Sequence, residues 1–360
     1  MKMVKALIIV ILALAGLRLV LPLAVKSYIN ASLSKLPDYE GSIQEVDLAV
    51  LRGGMALKDV RIYKRPQTED APFFSAKRLD ISWKWVQLFN KSFVGKIELN
   101  QPEIHVYAHA DGTKEKLSKE DLKEKAKEQS RIIKALRPFK IEEVKITDGK
   151  VHYTNVHKQP SIELHVSSIQ ANILNLTNNS SLGENGTASV EITGVPMENG
   201  KLVFKLMLDQ FADSPKFKME NELSVALVQL NDVMRAYGGV DVAGGMFNMA
   251  MEFAADEGKF KGYVKPTFDH VDVMSWDKDK KDPIKLIKKA ALGSAKELLK
   301  NQAKDRLGTK IPLSGTFDDT KIGAWEAALS LLKNGYVRAL FPGVEGSIKL
   351  KDVKEVSRGG

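Results

Sequence analysis

The stretch Ile97-Glu-Leu99-Asn-Gln-Pro-Glu-Ile104-His-Val106-Tyr107 places apolar side chains at every second position on either side of a Gln-Pro interruption. A period of two is the signature of a strand with one buried face. Val144-Lys-Ile146-Thr-Asp-Gly-Lys-Val151-His-Tyr153-Thr can be laid over it, apolar pair for apolar pair and turn for turn. A looser copy reads Val46-x-Leu48, then the Arg52-Gly53-Gly54 turn, then Met55-x-Leu57. Degenerate copies about 50 residues apart suggest a stacked, quasi-one-dimensional β architecture.

Working outward, the same period covers most of the chain. It holds at Val60-x-Ile62 and at Leu79-x-Ile81-x-Trp83-x-Trp85, with Gly53-Gly54, Pro66 and Pro102 as turns or edges. Downstream it returns at Ile162-x-Leu164-x-Val166, Ala188-x-Val190-x-Ile192 and Leu202-x-Phe204-x-Leu206-x-Leu208. Phe217-x-Met219, Phe247-x-Met249-x-Met251-x-Phe253 and Phe260-x-Gly262-x-Val264 extend the series. An antiparallel sheet built from such strands has one apolar face to cover. It can pack on a second sheet, close into a barrel, or curl round something that is not protein. The expected class is mainly β with peripheral helices (α+β).

Helical patterns interrupt the strands. Residues 114–137 form a charged insert with Leu122, Ala126, Ile133 and Leu136 on one stripe, read as a solvated surface helix. Leu223 to Tyr237 reads as a short helix ending at Gly238-Gly239. Asp282-Pro283 opens a basic amphipathic helix to about Leu307, closed by Gly308. A strand pair follows around Ile311 to Phe317. Another helix spans roughly Ile322 to Leu340, with Trp325, Ala328, Leu332 and Val337 on its stripe, and Gly346 to Val353 is a final strand. The expected units are 1–36 (anchor and helix), 37–275 (elongated repeat-like β domain) and 276–360 (C-terminal helices and closing strands).

The first 25 residues decide where this body works. An apolar run from Ala6 to Val25, broken at Arg18, is about the 20 residues an α-helix needs to cross a bilayer. Lys2 and Lys5 precede it, which keeps the short end cytoplasmic. Its membrane-facing residues are Leu7, Ile8, Ile9, Ile11, Leu12, Leu14, Leu17, Leu19, Leu21 and Leu23. Arg18 is read as snorkelling to the outer interface. A cleavable signal peptide and a buried helix of a soluble domain are the competing readings. Lys26 to Leu36 would continue the helix, and Pro37 would stop it.

Composition narrows the chemistry. With 360 residues the chain can bury a sizeable core. It has no cysteine, which excludes disulfides, thiolate metal sites and cysteine nucleophiles. A net charge of +9 points to anionic partners, and export makes a membrane surface a better choice than nucleic acid. There is no G-x-S-x-G elbow, P-loop, GxGxxG or H-E-x-x-H, so the expectation is a non-enzyme without cofactor. His105 and His152 occupy equivalent places in the repeat, but they alternate with apolar residues. They are read as solvent-facing strand histidines, with no metal site.

The anchor, the Val144-x-Ile146-Thr-Asp-Gly-Lys-Val151-x-Tyr153 repeat and the later Gly258-Lys-Phe260-Lys-Gly262-Tyr-Val264 strand together resemble the bacterial AsmA-like envelope proteins, in a branch named only as a domain of unknown function. The resemblance implies an elongated, curled β-sheet whose apolar face forms a groove or open barrel, akin to bridge-like lipid-transfer proteins. Its lining would come from Leu79, Ile81, Trp83, Trp85, Ile97, Leu99, Ile104, Val106, Val144, Ile146, Val151, Tyr153, Leu202, Phe204, Leu206 and Leu208. It also implies a periplasmic body on an inner-membrane anchor. Its implied partners are phospholipid or another acyl-chain lipid, the inner membrane and envelope proteins, with no nucleic acid. A body of this size would not obviously span an envelope at about 4.8 Å per strand. That leaves a lipid-holding groove or one part of an assembly, against a closed-core envelope scaffold.

Overall fold

Alternating strands dominate the computed structural model. It describes residues 2–36, 38–66, 71–108, 137–183, 186–276, 306–308, 310–317, 323–340 and 353–354. For 2–17, 238, 275–276, 306–308, 333–340 and 353–354 the description is of backbone alone. The expected insert helix at 114–137 lies almost wholly outside these residues, as does most of the basic helix at 282–307.

The chain begins with helix α1, Lys2–Leu33. At 1.5 Å per residue its 32 residues extend about 48 Å. Among the residues described with side chains, no helix is long and apolar enough to cross a membrane. Strands β1 (Tyr39–Ser42), β2 (Glu45–Ala49), β3 (Gly54–Lys64) and β4 (Phe74–Trp83) follow. A short helix α2 (Trp85–Phe89) leads to β5 (Phe93–Tyr107). Then come β6 (Phe139–Asn155), β7 (Ile162–Thr177), β8 (Thr187–Pro196), β9 (Lys201–Asp209) and β10 (Lys216–Ala226). A helical passage over 227–238 precedes β11 (Val240–Asp256) and β12 (Lys259–Trp276). The chain closes with β13 (Arg306–Gly308), β14 (Ile311–Phe317), helix α3 (Ala324–Leu340) and β15 (Val353–Lys354).

All fifteen strands belong to one curled, unclosed sheet, in the order β1-β3-β4-β5-β6-β7-β8-β9-β10-β11-β12-β14-β15. β2 pairs with β3, and β13 with β12. Neighbours in sequence are neighbours in space, as expected of a meander of hairpins. The C-terminal strands β13 to β15 add to this same sheet.

Four expectations are corrected. The β5–β6 pair is parallel, in an otherwise antiparallel ladder. A parallel pair needs a long crossover, and the segment 108–138 connects it. Trp85 starts α2 instead of ending β4, so it does not share a strand face with Trp83. Arg306–Gly308 is strand, not the end of the basic helix. The helical passage begins at Leu227 instead of Leu223, because Leu223 to Ala226 complete the ladder with β11.

The buried core is uneven. A large cluster fills the C-terminal half, with Ala188, Leu206, Leu208, Met219, Phe247, Phe253 and Val264 each at most 3% exposed. Helix α3 covers it with Ala327, Ala328 and Leu331. A small second cluster (Ile43, Val46, Leu57, Val60, Ala76) lies at the other end, and Val25, Ile29 and Leu33 of α1 pack on it. No such cluster spans β5 to β7 among the described residues.

Candidate functional site

Residues directly opposite one another across a ladder share a face of the sheet. One row runs Met55, Ile81, Ile97, Val144, Ile173, Val190, Leu206, Met219, Phe253 through nine successive strands. The row beside it runs Leu57, Leu79, Leu99, Ile146, Ala171, Ile192, Phe204, and resumes beyond Asn221 at Met251 and Val264. The intervening residues make the other face. There the row reads Asp80, Glu98, Lys145, Asn172, Glu191, Lys205, Glu220, Glu252. One face is therefore apolar across the sheet and the other charged. From β3 to β12 this is nine strand spacings, about 43 Å at 4.8 Å each.

The two halves of the apolar face differ in cover. Phe204, Leu206 and Leu208 of β9 are buried, at 9%, 3% and 1% exposure, within the C-terminal core. Leu79, Ile81, Ile97, Leu99, Val144 and Ile146 are only half-buried. Leu202 and Trp83 are also half-buried, and Trp83 stands opposite Gly95. The apolar face thus runs from an incompletely covered stretch on β4–β7 into a filled core, with Asn221 as the one polar residue in the two rows.

Beyond these rows the strands are bulged. Asp59, Gln101, Asp148 and Ser168 each take a positive φ, between 49° and 55°. In non-glycine residues that conformation marks a local irregularity. Gln101 and Asp148 are equivalent positions of the sequence repeat, and Gln101 Nε2 donates to Asp148 Oδ2 at 2.9 Å. The β6–β7 and β7–β8 ladders shift register around Asp148 and Ser168, as at a bulge, whereas β3–β4, β4–β5 and β5–β6 keep theirs past Asp59 and Gln101. Ile104 pairs with Val151 and Val106 with Tyr153 past this point; Ile104, Val151 and Tyr153 are half-buried and Val106 is exposed. Along the bulges lies a cleft of about 310 Å³ lined by charged groups including Arg61, Lys77, Glu103, Asp148 and Lys150.

The bulges also gather histidines that reading the strands one at a time did not join. His105 pairs with His152 across β5–β6, and His152 with His165 across β6–β7. The His105 and His152 rings stack at 4.7 Å, 7° from parallel. Glu103 Oε1 lies 2.8 Å from His152 Nε2 and 3.6 Å from His105 Nε2. The shorter contact is off the donor direction, and His152 Nε2 makes no well-directed hydrogen bond. Burial, then the neighbouring His105, lower the His152 pKa below the ordinary imidazole value, against the pull of Glu103. The signal in the sequence was the repeat itself: equal offset in the two copies places His105 beside His152 if the copies pair in parallel.

One end of the sheet carries an apolar tip. Leu51 is 98% exposed, Phe89 79% and Val86 70%. The β2–β3 and α2 connections are joined there by the Trp85 indole, which donates to the Val50 carbonyl at 2.8 Å. Trp85 sits edge-on to Trp83 at 5.5 Å and stacks on Phe89 at 6.0 Å. Arg52 and Lys91 flank the tip, and Lys84 beside it pairs with Glu142 at 2.6 Å. Helix α1 docks on β1 and β2: Leu33 stands against Gly41, Asn30 binds Ile43, and Val25 and Ile29 pack on the small core there. Leu19 and Leu23 of α1 are exposed at 73% and 67% and Leu21 is half-buried. The side chains of Leu7, Ile8, Ile9, Ile11, Leu12, Leu14 and Leu17, expected to form an anchor, lie outside the described residues.

No family model and no curated protein matches this chain.

Proposed function

We propose that the chain is a periplasmic, inner-membrane-anchored protein whose apolar β-groove binds phospholipid, or another acyl-chain lipid, and helps transfer it in maintaining the outer envelope. The observation that carries this reading is the pair of apolar rows across the unclosed sheet, interrupted only at Asn221 in the second and half-covered on β4–β7. An apolar face left against water is costly, at about 25 cal/mol per Å². Acyl chains lying along Leu99 and Ile146 would remove that cost, and a chain of about 15 Å, half a bilayer core, is shorter than the rows. The apolar tip with its flanking Arg52 and Lys91 supports residence at an anionic membrane surface. The apolar N-terminal run and the length of α1 support an anchor.

The test is extraction of the chain purified in mild detergent, with bound lipid identified by mass spectrometry. Photocrosslinker at Leu99 should label lipid, and crosslinker at Lys145 on the charged face should not. A lipid-free body would sink the proposal. The filled core under α3 favours a second reading, a closed-core envelope scaffold. In-cell crosslinks from Leu99 to one protein and none to lipid would select it.

A further inference from the structure

We propose that Glu103, His105 and His152 form a binding site for a divalent transition-metal ion of the zinc type, which clamps β5 to β6. Two imidazoles and a carboxylate suit zinc and its first-row neighbours, whereas calcium and magnesium prefer all-oxygen sites. The three donor atoms lie within 4.8 Å of one another. Ligand atoms of a tetrahedral zinc ion stand about 3.4 Å apart, the edge set by bonds near 2.1 Å. The contacts of Glu103 Oε1 to the two Nε2 atoms, 2.8 and 3.6 Å, bracket that edge.

The surrounding groups prepare the ligands. His105 Nδ1 is 3.1 Å from the Pro72 carbonyl oxygen. A carbonyl only accepts, so Nδ1 carries the proton and Nε2, 3.6 Å from Glu103 Oε1, keeps its lone pair for a ligand bond. This is the second-shell arrangement that orients metal-binding histidines. His152 Nε2 is buried without a well-directed partner, although Glu103 is close, and a buried polar atom in that state calls for an occupant. The two rings stack nearly parallel, so sharing one ion requires the His152 ring to turn about its soft terminal torsion. The cluster sits at the parallel junction, where the two strands are joined through the 108–138 crossover. An ion bound there bridges β5 and β6 directly. His165, next in the row, lies outside the group and serves as the control.

The experiment is calorimetric titration of zinc chloride into the full chain, purified without a histidine tag at neutral pH. The expected result is one zinc per chain, a raised melting temperature, and no uptake of calcium or magnesium. His105→Ala and His152→Ala should each weaken binding at least tenfold, and His165→Ala by less than about twofold. Circular dichroism checks that each variant folds. Ring nitrogen resonances of the unaltered chain give a second readout, in which His105 and His152 shift with zinc and His165 does not. Absence of uptake, uptake unchanged in both alanine variants, or unmoved His105 and His152 resonances would overturn the proposal.

Discussion

Asn30 holds both backbone groups of Ile43: its Nδ2 donates to the Ile43 carbonyl at 3.2 Å, and its Oδ1 accepts from the Ile43 N–H at 2.8 Å. This pair ties the C-terminal turns of α1 to the entry of β2, above the small core on which Val25, Ile29 and Leu33 pack. Asn30→Ala leaves two backbone groups of a residue 3% exposed without their partners. The expected cost is about 1–3 kcal/mol. Hydrogen exchange should speed up at Ile43 and in β1 and β2 while β9–β12 stay protected. Unchanged exchange at Ile43 would mean that apolar contacts alone dock the helix.

The difference in cover along the apolar face predicts unequal responses to the same truncation. Leu206→Ala in the filled half should cost about 2–5 kcal/mol, because it leaves a cavity. Leu99→Ala, on the half-covered stretch, should cost no more than about 1 kcal/mol. Denaturant unfolding of both variants measures this. Equal costs would show that β5 is packed as tightly as β9, and the groove would be lost with it.

A carboxylate placed in the groove should act on ligand more than on folding. Leu99→Glu and Ile146→Glu put charges side by side in one row, since these residues pair directly. Co-purified lipid should fall by about tenfold or more in the double variant, as an unpaired charge against acyl chains is strongly unfavourable. The circular dichroism spectrum should be retained. Full lipid content in a folded double variant would place any lipid elsewhere.

At the tip, Val86→Asp with Phe89→Ser removes apolar area that makes little use of the fold. Binding of the chain to vesicles of mixed anionic phospholipid should weaken at least fivefold, with the melting temperature nearly unchanged. The order of magnitude follows from about 1.5 kcal/mol or more for each large apolar side chain withdrawn from lipid. A melting temperature that falls while vesicle binding holds would make the tip structural.

Gly95 permits the close approach of β4 and β5 opposite Trp83. A Cβ there would run into the Ser82 carbonyl oxygen and come within 3.0 Å of the Phe93 ring. Backbone gives way less readily than a side-chain end. Gly95→Ala is expected to destabilise by about 1–3 kcal/mol, measured by thermal unfolding.

The strand content was legible because the physics is local. Alternation of Leu99 with Asn100, or Leu206 with Lys205, already assigns each side chain to a face, and the rows across the sheet follow once register is known. The 97–107 and 144–154 repeat even contained the register: Ile97 meets Val144, Leu99 meets Ile146 and His105 meets His152, all at one offset. What the repeat did not carry was direction, because parallel and antiparallel strands have the same period. Trp85 misled for a related reason. It continues the alternation of Ile81 and Trp83, but the chain turns into α2 to reach β5, and the tertiary contact of its indole with Val50 prevails over the local pattern.

The sequence by itself determined a mainly β body with one apolar face, the helix over 324–340 to within about two residues and the apolar N-terminal run, because hydrophobic period and turn chemistry act over a few neighbouring residues. Only the tertiary structure decided that β5 and β6 run parallel, that the apolar face is filled under α3 and half-covered on β4–β7, and that Glu103 meets two histidines. Those outcomes depend on strand direction, on register shifts around Asp148 and Ser168, and on strands brought together by a long crossover. Pairing energies between residues 47 positions apart leave no local trace that tells one partner from another.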